Sequence, residues 1–240
     1  MKKIKKSSEL LWLFGTIFVA LGVSICSYAD LGVSMIAAPA FIIFDAVKGL
    51  WPGFSVGMIE YLFQGVLLVI LCLIIRKFNW RFLLAFLVAF IYGYTLNLFL
   101  WILSFLPVNS ILQRWIMLLI GDVSTAFGVA SFFRTYMPLQ VYELFVAKIA
   151  STFKISINKT KCGFDVTLLI TSIILALTLF GDVSSFDWST IYYNSFHNIG
   201  LGTIVTTIIN SPIISFMSKL IDKTFENTPL LPKLEKFLNK

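Results

Sequence analysis

Acidic side chains embedded in apolar sequence are the residues of this chain that could do chemistry. A charge at the centre of a membrane helix costs about 2.5 to 3.5 kcal/mol, so such residues must face protein, water or the membrane surface. Since Asp30 and Asp45 are near stretch ends, where they can reach lipid headgroups, we expect functional roles among the others. The residues within or beside apolar stretches are Asp30, Asp45, Glu60, Asp122, Glu143 and Asp165.

Glu60 is the strongest candidate because it belongs to a polar helix face. Gly57, Glu60 and Gln64 are spaced so that they share one side of an otherwise apolar helix. Asp165 begins a weaker face of the same kind, with a threonine and a serine six and seven residues later. Both faces fit contacts for a substrate, a proton or a cation, but interhelical hydrogen bonds that hold a bundle together would produce the same pattern.

A second polar edge is expected in a shorter apolar stretch. Gln140 and Glu143 are three residues apart, so a helix presents them on one side, and Lys148 can reach the cytoplasmic surface or pair with an acid. Glu143 therefore serves either as a ligand contact or as an interfacial anchor. The candidate residues for binding a substrate or ion are Glu60, Gln64, Asp165, Gln140 and Glu143.

Metal and covalent chemistry lack suitable residues in the sequence. The cysteines, Cys26, Cys72 and Cys162, contain no closely spaced pair, and the single histidine, His197, has no ligand partner at helical spacing. An intramembrane enzyme would normally carry paired acids with a histidine, a Ser-Lys dyad or a metal set, and none of these is recognisable. We expect no catalytic residue, no metal site, no cofactor and no enzymatic activity.

The composition is that of a membrane protein. Of the 240 residues, 58% are hydrophobic and 13% are charged, whereas about 25% are charged in soluble domains. In such a chain the net charge of +7 reports cytoplasmic loops, so we expect no nucleic-acid partner. No segment outside the apolar stretches is long enough to form a core of its own, which predicts one membrane domain over residues 1–240.

Six apolar stretches have the length of a membrane span, which is about 20 residues. They are Glu9–Tyr28, Gly57–Ile75, Phe82–Phe105, Trp115–Phe133, Gly163–Phe180 and Gly200–Ser218. The first stretch is longer than a signal-peptide core, so we expect it to be retained. Two shorter stretches, Met35–Val47 and Met137–Phe153, fit interfacial or re-entrant helices as well as full spans. The predicted fold is an all-α polytopic transmembrane helix bundle.

Basic residues in short loops mark the cytoplasmic side of a membrane protein. With six spans and the N-terminus inside, all of the 19 basic residues except Lys48 and Arg114 lie in cytoplasmic segments. This bias predicts a plasma-membrane protein with both termini cytoplasmic and the loop from Gly181 to Asn198 outside. An alternative with eight spans, in which both short stretches cross the membrane, would leave the loops at the two ends of the chain on the same sides. Residues 219–240 are predicted to form a cytoplasmic amphipathic tail on anionic lipid.

The two halves of the chain share one order of elements. Leu21–Ser24, near the end of the first span, resembles Phe127–Ala130, near the end of the fourth, and a short proline-bearing stretch follows each. The halves are residues 9–105 and 115–218, and each contains three spans. Because three is odd, the second half enters the membrane in the opposite sense, which predicts an inverted 3+3 repeat. Apolar sequences of limited alphabet also align by chance.

Three segments carry a resemblance to a known group. They are Gly32–Met35 leading into Ala37–Ala40, Phe54–Gln64, and Ile199–Thr203 at the entry of the last span. These segments resemble the YczE/YyaS-like group of uncharacterised bacterial integral membrane proteins, and the resemblance runs from about residue 10 to residue 220. It implies a multi-spanning plasma-membrane protein, often regarded as a transporter, without a substrate or a mechanism. The YitT-like group is a weaker alternative.

Together these features predict a small-molecule permease or exporter that works by alternating access. Glu60 and Asp165 would be equivalent contacts at the interface of the repeats. The alternative is a substrate-binding or regulatory membrane subunit of a larger complex, without transport activity of its own. The expected partners are the lipid bilayer and a small molecule or ion whose identity the sequence does not give, and a homo-oligomer is compatible with the pattern.

The predicted topology can be tested with single cysteines in a cysteine-free background. We expect a membrane-impermeant thiol reagent to label Ser185→Cys in intact cells, because its loop is predicted to be external. Asn239→Cys should stay unlabelled until the cells are permeabilised. Labelling of Asn239→Cys together with protection of Ser185→Cys would overturn the orientation.

Overall fold

A computed structural model describes residues 4–181, 192 and 195–238. The long helices are α1 (Ser8–Tyr28), α3 (Val56–Ile75), α4 (Phe82–Leu103), α5 (Ile111–Phe132), α7 (Ile157–Phe180) and α8 (Leu201–Thr224). The short elements are α2 (Ala38–Val47), α6 (Val141–Phe153), α9 (Pro232–Leu238), β1 (Ile4–Ser7), β2 (Ser195–Phe196), β3 (Ile199–Gly200) and β4 (Phe225–Thr228). The six long helices are apolar and long enough to cross a membrane, which confirms the predicted all-α polytopic bundle.

Serine side chains fix where four of the long helices begin. The Oγ atoms of Ser7, Ser55, Ser110 and Ser156 each accept a hydrogen bond from the backbone N–H three residues later. The first backbone N–H groups of a helix have no partner within the helix, so a serine at this position stabilises the start. The helices α1, α3, α5 and α7 therefore begin at positions that the sequence sets locally.

Three helices extend further than the apolar pattern predicts. α7 begins at Ile157 and α8 ends at Thr224, each six residues beyond the predicted limit, and α5 begins at Ile111, four residues early. A hydropathy pattern ends a span at its first charged residues, whereas these helices continue through them. As a result Lys161, which the sequence assigns to a cytoplasmic loop, lies inside α7 and is buried.

Glycines bring the backbones of α1 and α5 into direct contact. A Cβ atom on Gly22 would lie 2.5 Å from the carbonyl oxygen of Gly121, and one on Gly121 would lie 2.7 Å from the carbonyl oxygen of Gly22. Gly15 and Gly128 approach each other in the same reciprocal way at the other end of the contact. Because the early glycine of α1 meets the late glycine of α5, the two helices run antiparallel.

The helix contacts of the two halves correspond to each other. In the first half α1 and α3 pack on α4 and α2 packs on α3, and in the second half α5 and α7 pack on α8 and α6 packs on α7. Between the halves α2 packs on α7, and α6 packs on α3. Exchanging α1–α4 with α5–α8 reproduces all of these contacts. The smaller contact of α4 with α6 has no counterpart of similar extent between α8 and α2.

Both ends of the described chain lie at one end of the bundle, here called the terminus end. β1 pairs in parallel with β4, which follows α8 directly. The carboxylate of Glu9 accepts hydrogen bonds from the backbone N–H groups of Leu230 (3.0 Å) and Leu231 (2.9 Å) and from the hydroxyl of Tyr136. Desolvation and this contact raise the pKa of Tyr136 to about 12, so its phenol stays a donor at neutral pH. An even number of membrane spans places both ends of a chain on the same side.

The C-terminal segment makes contacts with the rest of the protein. α8 continues to Thr224, and α9 then rests on the connection between α3 and α4. The ring of Phe237 lies 5.6 Å from that of Trp80, and the guanidinium of Arg81 donates to the carbonyl oxygen of Leu238 at 3.0 Å. Contacts with protein therefore set the position of this segment.

The opposite end of the bundle carries the acids that the sequence placed near helix ends. Asp30 pairs with Arg114 at 2.9 Å, and Asp45 pairs with Lys48 at 2.8 Å and accepts a hydrogen bond from Asn198. Of the loop predicted to be external, residues 182–191, 193 and 194 lie outside the described residues, and so does the labelling position Asn239.

The contact between α1 and α5 predicts a strong effect of one added methyl group. Gly22→Ala should destabilise the bundle by about 1 to 3 kcal/mol, because the methyl group meets the Gly121 carbonyl. Gly163→Ala is the matched control, since a Cβ atom there meets nothing within 4 Å and alanine favours helix. Thermal unfolding of purified protein should show a lower melting temperature for Gly22→Ala alone. Equal melting temperatures of wild type and Gly22→Ala would rule out the close backbone contact.

Candidate functional site

The residues selected from the sequence are all buried inside the bundle. Their relative exposure is 0% for Glu60, Gln64 and Asp165, 1% for Gln140 and 2% for Glu143. Polar groups in an apolar interior are costly unless they have partners, so their surroundings matter. Further buried polar residues that the sequence analysis did not include among the candidates are Tyr92, Asp122, Tyr142, Lys161 and Asn210.

Glu60 on α3 is held by two tyrosines from neighbouring helices. Its Oε1 atom accepts a hydrogen bond from the hydroxyl of Tyr92 on α4 at 3.3 Å, and its Oε2 atom accepts one from Tyr142 on α6 at 3.0 Å. Within the described part of the chain, the ion pairs do not include Glu60. Glu60 is thus satisfied by neutral donors, and the contact with Tyr142 joins the two halves of the chain.

Lys161 and Asp165 form a buried ion pair within α7. The Nζ atom of Lys161 lies 2.5 Å from Oδ1 of Asp165, and the two side chains are 3% and 0% exposed. They are four residues apart, so both lie on one face of the helix. The second oxygen of Asp165, Oδ2, has no hydrogen bond of normal geometry, although Ser211 of α8 lies close enough to interact with this carboxylate.

Two more carboxyl groups face this ion pair. Asp122 on α5 and Glu143 on α6 are each near enough to Lys161 and Asp165 to interact with them electrostatically through space. Glu143 also interacts with Tyr142, which binds Glu60. The consecutive residues Tyr142 and Glu143 thus place polar groups of α6 near both Glu60 and the ion pair.

The buried charges of the described interior do not balance. The buried ionisable side chains include four carboxyl groups, Glu60, Asp122, Glu143 and Asp165, and one ammonium group, Lys161. In a medium of low dielectric constant an unpaired charge is far more costly than in water, so such a group takes up a proton or a cation. This interior is suited to binding positive charge.

Several amide groups in the same helices also lack protein partners. Neither polar atom of Gln64, Gln140 or Asn210 makes a hydrogen bond within the described structure, nor does either carboxylate oxygen of Asp122. Each unsatisfied buried group costs about 1 to 3 kcal/mol. A small polar solute that offers both donors and acceptors would recover this free energy.

A polar face runs along the whole of α8. It follows the helical spacing from one end of the bundle to the other, and Pro212 lies near its middle, where the missing N–H leaves the carbonyl group of Ile208 without its helical donor. This face is not among the predicted sites, although its spacing of three and four residues is visible in the sequence. The residues of the face are Thr203, Thr206, Thr207, Asn210, Ser211, Ser215 and Ser218.

A pocket of about 280 Å³ lies at the terminus end of α7 and α8. Its walls include Lys161, Asn158 and the α8 residues Ser211, Ser215 and Ser218. Lys161 is thus both a wall of the pocket and the partner of the fully buried Asp165. The pocket connects the surface of the protein with the ion pair.

The predicted equivalence of Glu60 and Asp165 does not match the positions of the helix caps. Ser55 caps α3 and Ser156 caps α7, and Glu60 and Lys161 each lie five residues after the cap. Gln64 and Asp165 each lie nine residues after it. Counted from the caps, Glu60 therefore aligns with Lys161, and Gln64 aligns with Asp165.

Comparison with known proteins identifies one family. The family DUF6198, described as a family of unknown function, matches residues 6–219, which include five of the long helices and most of α8. This description names neither group that the sequence resembles, so that resemblance stays a prediction. No curated protein and no solved structure matches the chain.

Proposed function

The chain belongs to the DUF6198 family, and we propose that it is a small-molecule permease or exporter that works by alternating access. The observation that carries this proposal is the buried polar interior, in which four carboxyl groups and three unpartnered amides lie within a bundle of six apolar helices. Intramembrane groups of this kind are expensive and are typical of substrate and ion pathways.

The proposal includes an inverted repeat of residues 9–105 and 115–218. Its support is the matching order of helices, the exchange of contacts between the halves and the reciprocal glycine contact of the antiparallel α1 and α5. In transporters with inverted repeats the site lies where the halves meet. The hydrogen bond from Tyr142 in the second half to Glu60 in the first lies at such an interface.

The two ends of the bundle differ in a way that alternating access requires. At the opposite end, the N–H of Gly202 donates to the carbonyl oxygen of Leu31 at 2.8 Å. Beside it Gly32, at φ +99°, lies so close to α8 that a Cβ atom would be 2.4 Å from the nitrogen of Gly200. At the terminus end the pocket reaches Lys161. An alternating-access permease has two states, and in each of them the site is closed at one end of the bundle. A site that is closed at one end and approached by a pocket at the other fits one of these states.

A disulfide across the closed contact tests the alternation. A Cβ atom on Gly202 would lie 3.0 Å from the Cβ atom of Leu31, which needs a small shift to reach the 3.5 to 4.5 Å that is about normal for disulfides. In oxidised Leu31→Cys/Gly202→Cys protein, we expect added Thr207→Cys to become unreactive toward a soluble thiol reagent while Ser215→Cys stays reactive. After reduction both should react.

The controls are proteins that carry only Leu31→Cys or only Gly202→Cys, because oxidation cannot form the disulfide in either of them. Thr207→Cys that reacts equally in oxidised and reduced protein would rule out opening at this end, and with it the alternating-access proposal.

Glu60 should determine the affinity for the transported solute. A thermal-shift screen of purified protein against small polar solutes should yield compounds that stabilise the wild type, by about 2.7 kcal/mol at 100 times the dissociation constant. Glu60→Gln keeps the size of the side chain and should weaken binding at least tenfold, by about 1.4 kcal/mol. Asp45→Asn, at the opposite end and away from the site, should bind like the wild type.

Equal affinity of Glu60→Gln and wild type would remove Glu60 from the site. A compound that stabilises the protein without crossing the membrane of proteoliposomes would favour the alternative, a substrate-binding or regulatory subunit of a larger complex.

A further inference from the structure

The pocket at the terminus end gives a polar route to buried acids. Ser218 and Ser215 lie in its wall one turn apart on α8, and Ser211 lies one turn further in, close to Asp165. Lys161 forms the adjacent wall and contacts Asp165 at 2.5 Å. Hydroxyl groups therefore extend from the surface of the bundle to a carboxylate that is fully buried.

Polar groups of three other helices lie around the ion pair. α5 contributes Asp122, α6 contributes Glu143, and α8 contributes the hydroxyl of Ser211. The charged residue of α2, Asp45, is at the opposite end and is paired there with Lys48. Three carboxyl groups thus share one ammonium group, with further charges at the pocket mouth: Arg134, Asp222 and Lys219.

A proton suits this site better than a metal ion. Lys161 already occupies the side of Asp165 where a cation would bind. Within the part of the chain that the structure describes, no three carboxylate, histidine or cysteine groups converge on one point. The remaining negative charge is neutralised most simply by protons on carboxylate oxygens without partners, which are Oδ2 of Asp165, both oxygens of Asp122 and Oε2 of Glu143.

We propose that Asp165, Asp122 and Lys161 form a proton-binding site that is loaded from the terminus end through this pocket. A hydronium ion in the pocket gives its proton to Oδ2 of Asp165, the new O–H bond forms, and a water molecule remains. Lys161 keeps its positive charge and loses the carboxylate of Asp165 as its partner. A second hydronium ion gives its proton to an oxygen of Asp122 in the same way and leaves a second water molecule, so both aspartates are neutral when the site is loaded.

The proton site would supply the driving force of the proposed permease. Only this claim, that the proton drives transport, rests on the proposed function. Proton binding itself can be measured without transport. The full-length protein in lipid, without a substrate, is therefore sufficient for the tests.

Infrared spectroscopy can detect the protonated carboxyl groups. In the wild type, we expect a carbonyl stretch of buried carboxylic acid to grow as the pH is lowered, and Asp165→Asn and Asp122→Asn should each remove part of it. Lys161→Gln should shift the midpoint of this titration to higher pH by about 1 to 3 units, because the positive charge that favours the carboxylates is gone. Asp45→Asn, at the opposite end, should leave the band unchanged.

The two aspartate variants are independent tests, so loss of folding in one does not remove the other. A titrating band that survives intact in either folded aspartate variant would overturn the assignment of the site. An unshifted midpoint in Lys161→Gln would overturn the role of the lysine.

The route can be tested by blocking the pocket. Ser215→Trp fills the pocket wall, whereas Phe216→Trp places the same side chain on the neighbouring position, whose side chain is 62% exposed on the outer surface of the bundle. After a pH jump on a solid-supported membrane, Ser215→Trp should slow the charge displacement at least tenfold, and Phe216→Trp should not change it. Equal rates for both variants would overturn the pocket as the entry.

These results separate the two proposals. A titrating band that depends on Asp165 and Asp122, together with a disulfide that leaves Thr207→Cys reactive, would keep the proton site and remove the permease. If the disulfide makes Thr207→Cys unreactive but no titrating carboxyl band is found, the permease proposal stands and the proton-binding site is excluded.

Discussion

Burying a charge in a low-dielectric interior costs several kcal/mol even after relaxation, and this cost organises the bundle. Lys161 and Asp165 offset this cost by pairing within one helix, because a spacing of four residues places them on the same face. For Glu60 the cost is offset by hydrogen bonds from hydroxyl groups of α4 and α6. The helices α3, α4 and α6 must therefore keep one relative position, since a shift of α4 or α6 would remove one of the two donors and a shift of α3 would remove both.

The contact of α1 with α5 is coupled to the same interior. Gly121 permits the backbones to touch, and Asp122 is the next residue, so the helix rotation that this contact fixes also carries Asp122 inward, where it is 1% exposed. The hydroxyl of Ser124 donates to the carbonyl oxygen of Phe18 at 2.9 Å and holds the same rotation. A packing feature of the backbone thus determines where an ionisable group lies.

Hydropathy and spacing were sufficient to predict the six long helices and the burial of Glu60 and Gln64, because both depend on local sequence. They failed at Lys161, since a hydropathy pattern treats a lysine as a marker of the membrane surface. The aspartate one turn later is the signal that could have corrected this. The tyrosine contacts of Glu60 could not be predicted, because they depend on the relative depth of three helices that are distant in sequence.

The C-terminal segment adds a constraint that lies outside the family match. Glu9 accepts two backbone hydrogen bonds from Leu230 and Leu231, and Arg81 binds the end of α9, so the segment ties α1 to the connection between α3 and α4. The match ends at residue 219, whereas every charged residue of the polar interior precedes residue 166. The chemistry of the interior is thus contained in the matched region, and the segment acts on it through the helices that it connects.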